Sequence, residues 1–381
     1  VGDIDLIAIS SEPEKAVISF TGLSKVKEII QAGTSKASVI YAGNINVDLR
    51  IVDKECFGSM LQHFTGSREH NIHLRKLALS RGYSLNEYGF TDLSSDKKTL
   101  CSKEKEVYDF LGLEYFPPEL REDRGEIEAS LTANLPQLIT KEDIKGDLHV
   151  HSNWSDGINS MEELVQAAIQ RGYEYIAITD HSPSTGIANG LSERRLLEHI
   201  EEIEHLQDRY DDIRILSGTE CDIRADGKLD YSNDILKRLD VVIVAVHAGL
   251  EQDRNKMTKR IVAALENEHV DILAHPTGRK FGKRPAYDVD MDRIIAVAKE
   301  NRKVLEINSS PWRLDLNDIN ARKAKDHGVM LAINTDTHAI EHFDNIAYGI
   351  DVARRSWIEP DDVLNAMKLK ELCAWLGLMK E

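Results

Sequence analysis

Gly146-Asp147-Leu148-His149-Val150-His151-Ser152 is a short apolar run punctuated by two imidazoles. Alternate residues of a strand share a face, so His149 and His151 point the same way from its end. Downstream, apolar runs at 175–179, 214–219, 241–246, 272–274, 304–307 and 330–333 alternate with amphipathic helical patterns. Such alternation means parallel strands joined by crossover helices. Six or seven units in about 230 residues predict a closed or nearly closed α/β barrel, since eight units take ~250. In such barrels chemistry collects at the carboxyl ends of the strands, so polar residues after each run are expected to converge.

Nearly every run ends in a metal-ligand type. His149 and His151 are followed by Asp156 in a Ser-Asp-Gly loop; His181, Glu220, His247 and His275 each close a run; Asp336 and His338 repeat the i, i+2 spacing after 330–333. These nine are candidate ligands for two or three ions. A single histidine after a strand is ordinarily a hydrogen-bonded loop residue, but nine such placements are not explained that way. Imidazole mixed with carboxylate suits zinc, manganese or iron rather than calcium, and ions held a few ångströms apart by a bridging carboxylate such as Glu220 suit in-line phosphate ester hydrolysis. Asp180 reads as an orienter of His181 or a helix cap. The other histidines, His63, His70, His73, His199, His205, His269, His327 and His342, read as solvated or capping groups.

The chain has 381 residues, enough for two or three domains, and a formal net charge of -17. That balance argues against coating nucleic acid by bulk electrostatics, although bound divalent ions would reverse the sign locally. The longest strongly apolar run, 241–246, is far short of the ~20 residues that cross a bilayer, and no leader pattern is present, so a cytoplasmic protein is expected. Cys56, Cys101, Cys221 and Cys373 are scattered, which fits reduced, buried thiols.

Before residue 146 the pattern differs. The segment 2–9 alternates like a strand already under way at Val1, which implies a lost upstream part. Helical spacing is expected over 21–32, strands over 37–42 and 45–52, and helices over 69–81 and 103–113. An acidic stretch, 119–128, lacks an apolar period, and a linker is expected up to residue 145. Asp3 and Asp5 share one strand face, and Asp48 on a neighbouring strand completes a possible two-magnesium site.

The 146–152 run, with Ile178-Thr179-Asp180-His181-Ser182, Gly218-Thr219-Glu220, Val246-His247, His275-Pro276-Thr277 and Asn334-Thr335-Asp336-Thr337-His338, resembles the polymerase and histidinol phosphatase (PHP) superfamily. Gly2-Asp3-Ile4-Asp5 and Val47-Asp48-Leu49-Arg50 resemble the catalytic palm strands of X-family DNA polymerases, and Phe64-Thr65-Gly66-Ser67 resembles their thumb motif. The whole is similar to a bacterial or archaeal X-family polymerase with a carboxyl-terminal PHP domain. The resemblance implies an α/β fold, a distorted (β/α)7 barrel with a trinuclear site, preceded by an α+β palm remnant and thumb. The expected limits are a partial palm over 1–57, a thumb over 58–128, a linker over 129–145 and a barrel over 146–381.

It also implies catalytic roles for Asp3, Asp5 and Asp48 with magnesium, nucleotide contacts at Phe64, Gly66, Asn71 and Arg75, and zinc or manganese on the nine barrel ligands. The family's fingers and upstream phosphate-gripping segment are not in the sequence, so templated synthesis is expected to be lost. The expected activity is a 3'-5' exonuclease and 3'-phosphatase on DNA ends, with possible apurinic-site cleavage, in a monomer that binds DNA and no membrane. Arg279, Lys280, Lys283 and Arg284 after His275 are the expected DNA contacts, and Arg254, Lys256, Lys259 and Arg260 form a second basic cluster. The rivals are a small-molecule phosphatase of the histidinol-phosphate kind and a non-catalytic, metal-stabilised scaffold.

Overall fold

The computed structural model describes residues 2–379, and the chain folds as two compact units, Val1–Leu135 and Pro136–Glu381. The first unit contains a sheet of β1 (Asp3–Ile9), β2 (Glu28–Ala32), β3 (Lys36–Tyr41) and β4 (Ile45–Val52) in the order β1-β4-β3-β2. Only β1 and β4 run parallel. Val17 of helix α1 (Pro13–Thr21) packs with Ala37, Leu49 and Ile51 on one face.

Helical spacing over 21–32 does not survive. The hydroxyl of Thr21 turns back onto the Val17 and Ile18 carbonyls and Gly22 closes the helix. Residues 28–32 then pair antiparallel with β3 across a tight turn in which the Gly33 N–H donates to the Lys36 carbonyl. Short apolar runs fit either period, and a strand partner three residues away decides this one.

Helices α2 (Phe57–Thr65), α3 (Arg68–Ser80), α4 (Glu104–Phe110) and α5 (Glu126–Leu131) complete the unit with a small sheet, β5 (Tyr83–Asn86), β6 (Gly89–Asp92) and β7 (Lys98–Thr99). The acidic stretch is a packed corner. Buried Glu126 accepts from His70 Nδ1 at 2.7 Å and from the N–H groups of Asp123 and Arg124 at 2.8 and 2.7 Å, while buried Arg121 pairs with Glu104. The two units divide at Leu135/Pro136, inside the expected linker. Residues 136–145 are part of the second unit: Ile139 and Ile144 are buried, and the Ile139 N–H donates to Ile358.

The second unit is a ring of parallel strands in sequence order, β8 (Gly146–Val150), β9 (Tyr175–Ile178), β10 (Arg214–Asp222), β11 (Val241–Ala245), β12 (Ile272–Leu273), β13 (Val304–Asn308) and β14 (Leu331–Asn334). A bridge from Val150 to Thr337 nearly closes it. Leu148, Ala177, Leu216, Ile243 and Ala332 fill the interior. Outside pack α6 (Met161–Gln170), α7 (Glu193–Gln207), α8 (Asn233–Leu236), α9 (Arg254–Leu265), α10 (Met291–Glu300), α11 (Asp318–Asp326) and α12 (Ile346–Arg355). Leu372 of α13 (Leu369–Trp375) joins the interior cluster. Buried Asn365 ties β8 to β14, donating to the Gly146 and Ile333 carbonyls at 2.9 and 2.6 Å and accepting from the Ile333 N–H.

Two outcomes are expected. Asn365→Ala strands three buried backbone groups and is expected to cost about 2–4 kcal/mol, read as a lowered urea midpoint. Glu126 titrates below its ordinary 4.5: burial opposes its charge, and His70 and the surrounding N–H groups outweigh burial. A depressed folded-state pKa adds stability that is complete above the unfolded value and lost as pH falls through the folded one. Wild type is therefore expected to exceed Glu126→Gln in stability at neutral pH, and the gap to narrow as urea titrations step below pH 4.5.

Candidate metal centre

A bulge aims the first ligands. Between Asp147 and Val150, β8 carries one residue more than β9 opposite it, which shifts the side-chain alternation. Leu148 therefore faces the barrel interior while Val150, two residues on, packs outward against the helices. His149 and His151, flanking Val150, both reach Glu220 on β10.

Glu220 is the hub. His149, His151 and His181 lie 3.5, 3.5 and 3.0 Å from its Oε2, and His247 and His275 lie 3.3 and 2.9 Å from its Oε1. Asp336 Oδ1 stands 3.7 and 3.4 Å from His149 and His151, and Asp156 stands 3.3 Å from His338 and 3.6 Å from His181. The Asp156 loop folds tightly back on the strand; a Cβ on Gly157 would come within 2.2 Å of the His151 carbonyl. Asp180 fixes that loop, accepting from the Ser152 N–H and hydroxyl at 2.9 and 2.6 Å and from the Ser155 hydroxyl. Asp180 is held in turn by His199 at 2.9 Å. His275 and Asp336 sit at φ of 30° and 56°, left-handed values that a non-glycine residue adopts when its surroundings dictate them.

The residues fit ions. Ligand atoms of His151, Asp156, His181 and His338 lie within 4.8 Å of one another, as do those of His149, His151 and Asp336, and those of His181, Glu220 and His247. Buried His149 Nε2, both nitrogens of His151, and Nδ1 of His181, His247 and His275 have no hydrogen-bond partner. A buried polar atom left unpaired is costly, and an ion would satisfy these. Burial and the neighbouring His338 and His181 push His151 down to about 4, and burial with Arg313 does the same to His275, which favours the neutral ring, the form in which an imidazole can bind a metal. Burial opposes charge on His247 and His338, but Glu220 and Asp222 raise the first to about 9, and Asp156 and Asp336 raise the second to about 9. Protons there offset carboxylate charge that cations would otherwise offset.

Two family descriptions match: "DNA polymerase beta thumb" over residues 60–122 and "PHP domain" over residues 147–310. A protein named "DNA polymerase/3'-5' exonuclease PolX" from Bacillus subtilis (strain 168) is 42% identical over 99% of this chain and 66% of its own length. The chain belongs to the PHP-bearing X-family DNA polymerases. It spans 66% of that relative. A protein named "Probable phosphatase" from Thermoanaerobacter sp. (strain X514) is 30% identical over 59% of this chain and 92% of its own. The crystal structure of a histidinol phosphate phosphatase from Lactococcus lactis, with zinc, L-histidinol and phosphate, matches at 19% identity over 56% of this chain and 94% of its own, with a TM-score of 0.44.

The nine residues expected as barrel ligands converge at the strand ends of the second unit, but the sequence reading missed their supports. Glu306 on β13 is buried and fully engaged: His149 Nδ1 at 2.8 Å, the His275 N–H at 2.8 Å, and the Asn334 and Asn308 amides at 3.1 Å. Asp222 lies 3.6 Å from His247 Nδ1, and Arg313 pairs with Asp336 at 3.2 Å. A carboxylate inside the apolar run 304–307 was the available signal for Glu306. His70 and His199 are buried, not solvated, each bound to a carboxylate. Cys101 and Cys221 are buried, and Cys56 and Cys373 half-buried, all as free thiols.

The basic cluster divides. Arg279 donates to the Arg313 and Leu314 carbonyls and Arg284 to the Gly278 carbonyl, so both brace loops. Lys280 and Lys283 line the cavity. In the second cluster Arg260 is buried on the Ile223 and Ala248 carbonyls, Arg254 pairs with Asp290, and Lys256 with Asp253.

In the first unit β1 and β4 set Asp5 opposite Asp48, with Asp3 two residues away on the same face. Burial, Asp48 and Asp3 raise Asp5 above the ordinary carboxylate value. These three do not form a group within 4.8 Å among the described residues. The Phe64 ring lies 4.7 Å from the Arg50 guanidinium, and Gly66 ends α2 at φ 70°. Asn71 joins Gln62 to the His63 carbonyl, and Arg75 contacts His63 Nδ1 at 3.1 Å.

Adding zinc or manganese to chelator-treated protein is expected to raise the melting temperature by about 5 °C or more. Glu220→Ala is expected to remove most of that rise in the same thermal scan.

Proposed function

We propose that the barrel hydrolyses phosphate esters at the 3' ends of DNA, as a 3'-5' exonuclease and 3'-phosphatase that also accepts apurinic sites. The observation that carries the reading is the convergence of nine imidazole and carboxylate ligands beneath a cavity of about 480 Å³ whose lining also presents Lys280, Lys283 and Arg313. The mixed donor set favours zinc, manganese or both. When bound, such ions supply Lewis acidity and a more acidic water for attack on phosphorus.

The chain's own groups do the rest. Arg313 is buried, with Nε on Asp336 and Nη1 lacking a partner, so its guanidinium offers an N–H to a phosphate oxygen while fixing the Asp336 carboxylate. Glu306 holds the His149 ring and the His275 backbone, which keeps two ligands on the hub as charge develops nearby. Lys280 and Lys283 add positive potential at the mouth. The thumb match and the name of the Bacillus relative favour DNA as the ester, and Asp3, Asp5 and Asp48 are proposed magnesium ligands of the palm. A second reading, hydrolysis of small phosphomonoesters, is favoured by the relatives named as phosphatases.

The test is a 5'-labelled DNA strand ending in 3'-hydroxyl or 3'-phosphate, incubated with manganese or with chelator. Stepwise shortening and phosphate release are expected with metal only, and neither with the His149→Ala, Asp336→Ala double variant. Intact DNA alongside hydrolysed glycerol phosphate would replace this reading with the small-molecule one.

A further inference from the structure

Trp312 stands 61% exposed on the lining of the metal cavity. Its backbone is pinned. The Phe281 N–H donates to the Trp312 carbonyl at 2.7 Å, and Arg279 holds the next two carbonyls, those of Arg313 and Leu314. The loop that supplies these donors is itself stapled, by the Lys280–Arg284 bridge and by Arg284 on the Gly278 carbonyl. Seven directed bonds therefore hold the backbone that carries a largely exposed indole. Lys283 Nζ lies 5.5 Å from the centre of its ring, and Phe281, 48% exposed, stands on the same loop with the Arg279 guanidinium over its ring.

Isolated surface aromatics are ordinary. This one shares its cavity with the ligand residues Glu220, His247 and Asp336, and its neighbours are cations rather than solvent alone. An aromatic face with an ammonium beside it, next to a site for phosphate, is the combination by which proteins hold single-stranded nucleic acid: the base stacks and the cation meets the backbone. An aliphatic phosphomonoester would have no use for the ring.

Building on the DNA-end reading, we infer that Trp312 is the stacking platform for the base of the 3'-terminal nucleotide, with Lys283 on the adjoining phosphate. It is a specificity-determining residue, which favours strands that end in an intact, unpaired base over ends that lack one without excluding the latter. Terminal pairing would have to open for the base to reach it, so frayed and single-stranded ends are preferred.

Two arms test this on the full chain. In the first, a short oligothymidylate is titrated in chelator and tryptophan fluorescence followed; quenching is expected in wild type and is lost in Trp312→Ala. In the second, KM with manganese is compared for that oligonucleotide and for one whose 3'-terminal residue lacks its base. Wild type is expected to favour the base-bearing strand by about tenfold. Trp312→Ala is expected to treat the two alike, and Trp312→Phe, which keeps a ring, to restore most of the preference with kcat little changed. If DNA is cleaved but quenching and preference persist in Trp312→Ala, stacking at this residue is overturned while the nuclease reading stands. If DNA is not cleaved yet quenching depends on Trp312, the nuclease reading fails and the platform stands; quenching that is absent from wild type overturns the platform.

Discussion

One buried carboxylate organises the second unit. Glu220 carries its charge out of water, and five imidazoles from four other strand ends approach it within 3.5 Å. Burial alone would protonate it; His247, His149 and His181 hold it well below the ordinary glutamate range instead. An anion so placed is stable only while cationic charge stays close. The barrel ring therefore has to bring its strand ends together, because separating them would leave either the carboxylate or the rings unpaired. A second layer works by the same rule: Glu306 secures His149, Arg313 secures Asp336, and His199 secures the aspartate that shapes the Asp156 loop.

The convergence of the candidate ligands was largely legible because they close apolar runs, where polarity changes sharply in the sequence. Supports placed mid-element were harder to see. His199 follows Leu196 and precedes Ile203 on the buried stripe of α7, and His70 shares the stripe of α3 with Leu74 and Ala78. Periodicity thus marked both as core-facing, and residue type misdirected the reading toward solvent. The 21–32 segment went astray for a different reason: its apolar residues satisfy both periods, and pairing with β3 across the turn at 33–35 decides between them. Nor can a list of basic residues tell a guanidinium turned onto its own carbonyls from one free to meet a ligand.

That last distinction shapes the mouth of the cavity. Arginine, with a rigid fork of donors, is placed where loops need bracing, as at Arg279, Arg284 and Arg260. Lysines 280 and 283, each a point charge on a flexible stem, are left at the lining. The rim is thus braced in its backbone by arginines and carries its unbraced positive charge on lysines.

The barrel's closure joins its first strand to its last. Asn365 and the Val150–Thr337 bridge link β8 to β14, and Asp336 and His338 follow β14. During synthesis on the ribosome the histidines of β8 emerge long before the aspartate that completes their ligand set. Of the three groups that could hold an ion, the two that include Asp336 or His338 are complete only when the final strand arrives, whereas His181, Glu220 and His247 all lie on or just after earlier strands. Long-range closure of this kind also slows folding.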